Sequence, residues 1–265
     1  MSDSEFDKYF ALRERGAFRE AYAVLRQILQ NSPRWSKEGD LYVWCAEFEL
    51  LLNDDIVRAR ELLRTAAQLG GCDTAYFYCI HGYVLWRAGE RQRGIQELEK
   101  SVELNPSVKH LTDLARVLST EGDEGAMRLW QNVLEKDPQN CLAHIYLGLE
   151  AARSGDQGKA ILMAKRAETL SPSARDFSEI GRLYHQLEEY ELAVRSYLSA
   201  IRLGAEPKGH RYAGVAACYF ALGDVKTGSR YLAWAMRHNP EHEYVKEVYE
   251  KSRTLMDNDS KESQE

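Results

Sequence analysis

Seven histidines and five cysteines are the side chains of this chain best suited to holding a metal or acting as nucleophiles. Only His238 and His242 stand one helical turn apart, and Pro240 between them interrupts the helix that would align them. His81, His110, His144, His185 and His210 are scattered, and no HExxH accompanies them. Cys45, Cys72, Cys79, Cys141 and Cys218 are odd in number and include no CxxC; the spacing of Cys72 and Cys79 suits neither zinc nor redox chemistry. They read as buried thiols in reducing surroundings. Glycine spacing matches neither GxGxxG nor GxxxxGK[ST], so nucleotide binding has no support. The expectation is no catalytic residue, no metal, no cofactor and no enzymatic activity.

Recognition is the other chemistry available. Trp44, Tyr76, Tyr83 and Trp86 offer apolar bodies with polar tips, which suit a wet groove. Lys109, Arg116, Arg153, Arg175 and Arg182 offer cations that grip the carboxylates of an acidic segment or a chain terminus. Each group has a plainer alternative. The aromatic residues also serve as core packing, and the cations also form a solvated face paired with Asp113 and Glu179. Trp130 and Trp234 are assigned to packing. Whether these residues share a surface depends on the elements that carry them.

Composition narrows the classes. The chain has 265 residues, 44% hydrophobic and 29% charged, as in an ordinary folded protein, and a net charge of -6. There is no polybasic run, so nucleic acid is not an expected partner. The first residues, MSDSEFDKYF, lack the basic and apolar regions of a secretory signal. No apolar stretch is long enough for a membrane span. A cytoplasmic protein is expected.

The prolines supply the elements. Pro33, Pro106, Pro138, Pro172, Pro207 and Pro240 are separated by 73, 32, 34, 35 and 33 residues, a lattice of about 34 with one member missing. Twelve residues before most of them stands a tiny residue: Ala21, Gly94, Ala126, Ala160 and Gly228. Ala193 stands fourteen before Pro207, and Ala59 has Gly71 in the proline position. A glycine precedes most of the tiny residues by four or five: Gly16, Gly89, Gly122, Gly155 and Gly223. Each unit therefore reads helix, glycine turn, helix, proline stop. Helices joined by such short turns pack as antiparallel hairpins, and the tiny residues let them approach closely.

These units resemble tetratricopeptide repeats, whose pattern runs W-x2-L-G-x2-Y, then A-x3-F, an alanine and a terminal proline. Residues 174–207 carry Phe177, Ile180, Gly181, Tyr184, Ala193, Tyr197 and Ala200 of that pattern. Residues 209–242 carry Tyr212, Val215, Ala216, Tyr219, Gly223, Ala235 and Pro240. The resemblance extends over about seven units, 2–35, 39–73, 75–107, 108–140, 141–173, 174–207 and 209–242. It implies an all-α fold, a right-handed α-α superhelix or solenoid. Residues 243–256 have one apolar and one polar face, as a C-terminal capping helix requires, and 257–265 read as a disordered polar tail.

Stacked hairpins leave a concave surface lined by the first helix of each unit, and in the family resembled peptides commonly bind there. On this register the nine aromatic and basic residues named above fall near that surface. The chaperone-binding members of the family place Lys-x3-Asn, Asn and Lys-x3-Arg on three successive first helices. Here Lys8 is followed by Leu12 and Lys109 by Asp113, so a chaperone clamp is not expected. The reading is a non-catalytic scaffold or adaptor that binds a protein or peptide partner in the groove. The alternative is a self-associating assembly protein, with RNA binding and an unrecognised enzyme further behind; partner identity and oligomeric state stay open. The missing proline, at Gly70–Gly71, marks a junction expected to be looser than the others.

Overall fold

The structure is a computed structural model that describes residues 4–31, 37–170, 173–204 and 209–262. Among the described residues it is all-α. The helices are α1 (Ser4–Glu14), α2 (Phe18–Asn31), α3 (Gly39–Phe48), α4 (Ile56–Gln68), α5 (Ala75–Arg87), α6 (Arg91–Leu104), α7 (Val108–Glu121) and α8 (Gly125–Lys136). They continue with α9 (Cys141–Arg153), α10 (Gln157–Thr169), α11 (Ala174–Gln186), α12 (Tyr190–Leu203), α13 (Gly209–Ala221), α14 (Val225–His238) and α15 (Glu243–Glu262).

Local chemistry sets the ends of these helices. Thr74, Ser107, Asn140, Asp156, Ser173 and Asp224 each accept a backbone N–H of the first turn, satisfying one of the donors a helix start leaves open. Ser173 forms a full capping box with Asp176. Between α5 and α6, Gly89 takes φ 89°, the left-handed conformation that turns the chain back. Between α11 and α12 no glycine is present, and Glu188 adopts φ 60° in the same role. Pro106, Pro138 and Pro240 follow α6, α8 and α14, while Pro33, Pro172 and Pro207 lie outside the described residues.

The chain divides into two compact units, residues 1–129 and 130–265. In the first, α3 packs on α5 and α5 on α7, so the first helices form a row. The second helices α2, α4 and α6 each pack against their own partner and the following first helix. The second unit repeats this arrangement: α9, α11 and α13 form the row, with α10 and α12 packed against it.

The tiny residues do what their spacing predicts. A Cβ on Gly94 would stand 2.6 Å from the Gly82 carbonyl oxygen and 2.6 Å from the Trp86 nitrogen, so α5 and α6 touch backbone to backbone. Ala21, Ala59, Ala160 and Ala193 are fully buried at the corresponding places.

Three expectations change. The junction at Gly70–Gly71 is closely packed: a Cβ on Gly71 would lie 2.5 Å from the Gly39 carbonyl carbon, and the Gly71 N–H donates to Ala66 at 2.9 Å. Two glycines facing each other replace the missing proline by close approach. Second, α15 continues to Glu262, past the expected end at 256, because Asp257–Glu262 contains neither Gly nor Pro to stop a helix; residues 263–265 lie outside the described residues. Third, Trp234 packs edge-to-face against Tyr212 and Tyr231 but stays 41% exposed, whereas Trp130 is buried and stacks on Tyr146 at 4.7 Å.

One element had no signal in the pattern. After α3 the chain makes a π-helical turn, Glu49–Asn53, that ends at Asp54 with φ 55°. The buried Glu49 carboxylate accepts from Tyr22 and, at 2.5 Å, from Asn53. Those two donors compensate a charge that would otherwise be costly to bury.

Candidate functional site

In the first unit the first-helix row carries a ladder of alternating charges. Arg13 on α1 donates to Glu47 on α3 at 2.8 Å and to the Tyr76 hydroxyl on α5 at 3.2 Å. Tyr76 in turn donates to Glu47. Lys109 on α7 reaches Glu47 at 3.7 Å and Asp113 at 3.0 Å, with its ammonium over the Tyr76 ring. Arg116 closes the ladder on Asp113 at 3.0 Å and lies over the Tyr83 ring, 5.0 Å from its centroid.

The ladder sets its own protonation. Burial pushes the Tyr76 hydroxyl up, and the adjacent Glu47 carboxylate pushes it further, so it remains a donor. Burial alone would raise Asp113, yet the Lys109 and Arg116 charges outweigh it and hold the carboxyl below its ordinary value. Lys109 is raised despite its own burial, chiefly by Asp113.

Six of the nine sequence candidates sit in the first unit, and most are already engaged there. Trp44 stacks on Tyr9 at 5.4 Å and meets Phe10 edge-on, so it packs within the unit. Tyr76, Lys109 and Arg116 belong to the ladder. Tyr83 lies beside Trp86 at 5.7 Å, and the Trp86 indole donates to Glu121 at 2.7 Å. Lys109 and Arg116 are both paired with Asp113, at 3.0 Å each. Sequence reasoning missed Arg13 and Glu47, the ladder's other members. Their signal was a basic and an acidic residue on neighbouring first helices.

The second unit separates the remaining three. Arg153 pairs with Glu150 at 3.0 Å on an exposed turn, and Arg175 is exposed at the start of α11. Arg182 pairs with Glu179 at 2.7 Å and lines a cleft of about 730 Å³. Residues of α11, α12, α13 and α15 form this cleft. Tyr197 of α12, Ala217 and Phe220 of α13, and Tyr244, Val248 and Leu255 of α15 supply apolar surface. Arg182, His185, Glu179, Glu247 and Lys251 supply the polar groups, with Lys251 paired to Glu247 at 2.6 Å. Mixed lining of this kind and volume suits a ligand held by an apolar body and oriented by few polar contacts. The helix expected only to cap the array thus also walls a cleft.

The cysteines and histidines hold no metal arrangement: among the described residues no three His, Cys, Asp or Glu side chains stand where a metal ion would need them. Burial pushes the Cys45, Cys141 and Cys218 thiols up to about 12, which suits packing rather than nucleophilic chemistry. His238 stacks on Tyr212 at 5.4 Å, whereas His242 accepts the Tyr244 N–H at 3.2 Å and begins α15. Their four-residue spacing has no joint role. No helix among the described residues is long and apolar enough to cross a membrane.

Comparison with known proteins agrees with this architecture. The tetratricopeptide repeat family model matches residues 75–108 and 178–204. Among curated proteins searched by sequence, none matches. A crystal structure of the APC/C hetero-tetramer Cut9-Hcn1 superimposes with a TM-score of 0.69 at 15% identity, covering 92% of this chain and 48% of that one. The present chain thus spans about half the length of that relative. A tetratricopeptide repeat protein from Parabacteroides merdae gives 0.64 at 12% identity, covering 94% of this chain and 97% of that one. A thermophilic TPR protein of Thermus thermophilus gives 0.59 at 19% identity, covering 68% of this chain and all of that one. At 12–19% identity these likenesses describe the fold alone. The chain thus carries tetratricopeptide repeats at residues 75–108 and 178–204, and its described helices have the all-α fold of these solved structures.

Proposed function

We propose that this protein is a non-catalytic interaction scaffold that holds a peptide segment of a partner in the cleft of its second unit. The observation that carries the reading is the 730 Å³ cleft itself, with Tyr197 and Phe220 as apolar floor and Arg182 and Lys251 at its polar edge. The first-unit row supports binding less well. Its cations already hold Glu47 and Asp113, so an incoming carboxylate would have to displace an internal one. In the cleft a partner's apolar side chain gains burial without breaking a buried ion pair, since Arg182 and Lys251 are both substantially exposed.

The test is selection of peptides on the purified full-length chain, followed by titration against two variants. Ala221→Trp fills the cleft from the exposed end of α13, and Arg182→Glu reverses its edge. Loss of affinity in both, with unchanged helicity, supports the cleft. Selected peptides that bind both variants as tightly as the parent refute it.

Self-association is a second reading, favoured by Phe10 and Phe18 on the first hairpin, which are 45% and 37% exposed. Sedimentation across a concentration range separates the two, because a strict monomer removes this reading and leaves the cleft untouched.

A further inference from the structure

The second helices of the second unit carry more exposed cations than acids. On α10, Lys159, Lys165 and Arg166 stand against Glu168 alone. On α12, Arg195 and Arg202 stand against Glu191. On α14, Lys226, Arg230 and Arg237 have no acidic neighbour in the helix. All these cations are exposed, and none forms an ion pair among the described residues. On the second helices of the first unit, Arg58, Arg60, Arg91 and Arg93 are paired with Glu61, Glu90, Glu121 and Glu90. The net charge of the whole chain is -6, so these exposed cations of α10, α12 and α14 run against its overall sign.

Exposed hydrocarbon accompanies them. Lys226, Arg230 and Arg237 recur at helical spacing along one stripe of α14, with Trp234 beside it, 41% exposed. Leu162 on α10 is 64% exposed one turn from Lys159 and Arg166; Leu203 beside Arg202 is 54% exposed. Met236 on α14 is 39% exposed.

From this pattern we infer that the α10–α12–α14 face docks peripherally on an anionic lipid surface, its cations against headgroups and Trp234, Leu162 and Leu203 at the headgroup–acyl boundary. Clustered Lys and Arg attract anionic headgroups, and tryptophan favours the membrane interface. Single-stranded nucleic acid would share the charge requirement but needs ring faces open for base stacking. Here the Trp234 ring is met edge-to-face by Tyr231 at 5.1 Å and by Tyr212 at 5.9 Å, and the other exposed apolar groups are not aromatic. The chemistry on this face is hydrocarbon among cations, which fits lipid.

The experiment is co-sedimentation of the full-length protein with vesicles of phosphatidylcholine, or of phosphatidylcholine mixed with phosphatidylglycerol. Partition is expected only onto the mixed vesicles, weakening as salt rises. The triple change Lys226→Gln, Arg230→Gln, Arg237→Gln is expected to lower partition roughly 100-fold. Trp234→Ala is expected to lower it even where salt has already screened the charges. Arg58→Gln, on a paired cation of α4, is expected to leave partition unchanged and controls for general charge. Absence of partition at low salt, equal partition onto both vesicles, or no effect of the triple change would each overturn the inference. So would a single-stranded oligonucleotide bound at lower protein concentration than the mixed vesicles.

Discussion

Tyr76 donates its hydroxyl to the carboxylate of Glu47 on the neighbouring first helix, while Arg13 holds both from a third. Three helices are thereby joined through one carboxylate, which makes Glu47 the hub of the first-unit ladder. Tyr76→Phe removes one donor and leaves Glu47 with its two cations, at an expected cost of about 1 kcal/mol. Glu47→Ala strands Arg13 and the Tyr76 hydroxyl together and is expected to cost about 3 kcal/mol. Urea denaturation followed by circular dichroism measures both, and equal costs would contradict the hub.

Asp113 gives the same ladder a pH dependence. Burial works to raise its carboxyl, but Lys109 and Arg116 hold it below the ordinary 3.8. An acid depressed in the folded state contributes its full stability above its unfolded value and loses it as pH falls through the folded one. The melting temperature of the parent is therefore expected to fall as pH drops below about 4, and that of Asp113→Asn to fall less. Melts at a series of acidic pH values make the comparison; parallel curves would show that Asp113 contributes nothing.

The repeat made the hairpins legible from proline, glycine and alanine spacing, because those residues act through backbone geometry that every unit must share. The site was less legible. A register can place Trp44 and Lys109 on first helices, but it does not reveal that Tyr9 covers one and Asp113 neutralises the other. Side-chain partners come from different units and carry no periodic signal. The cleft was hidden for a related reason: one wall of it belongs to α15, which lies outside the repeat.

Gly94 is where the spacing rule is most stringent. An added Cβ would meet two backbone atoms at 2.6 Å, and backbone does not yield as a flexible side chain does. Gly94→Ala is therefore expected to destabilise by about 1–3 kcal/mol despite alanine's better helix propensity. Gly158→Ala is the counterpart. Its Cβ would meet only Asp156 Oδ1 at 3.9 Å, and a gain of roughly 0.5–1 kcal/mol is expected. Denaturation midpoints that shift in the same direction for both would argue against the close approach.

The contact between Gly39 and Gly71 makes a dynamic prediction opposite to the one the missing proline suggests. The Gly71 N–H is bonded to Ala66, and its Cα is buried against the start of α3. Hydrogen exchange at Gly71 is expected to be slower than at Gly70, which is exposed. Exchange equally fast at both amides would restore the picture of a loose junction.

His185 and His81 report acid sensitivity in each unit separately. Burial holds His185 below the ordinary 6.5, and the Lys251 charge lowers it further. His81 is likewise lowered, by burial that outweighs the nearby Glu97 carboxylate at 3.7 Å. A histidine depressed in the folded state stays neutral while its unfolded counterpart takes up a proton. Stability is thus flat above 6.5 and declines as pH falls from there toward each folded value. His185→Phe and His81→Phe are each expected to flatten part of that decline, and the double variant to combine the two, since the residues belong to different units. Titration of the histidine ring protons by NMR checks the premise directly, and ring signals that titrate at or above 6.5 would remove it.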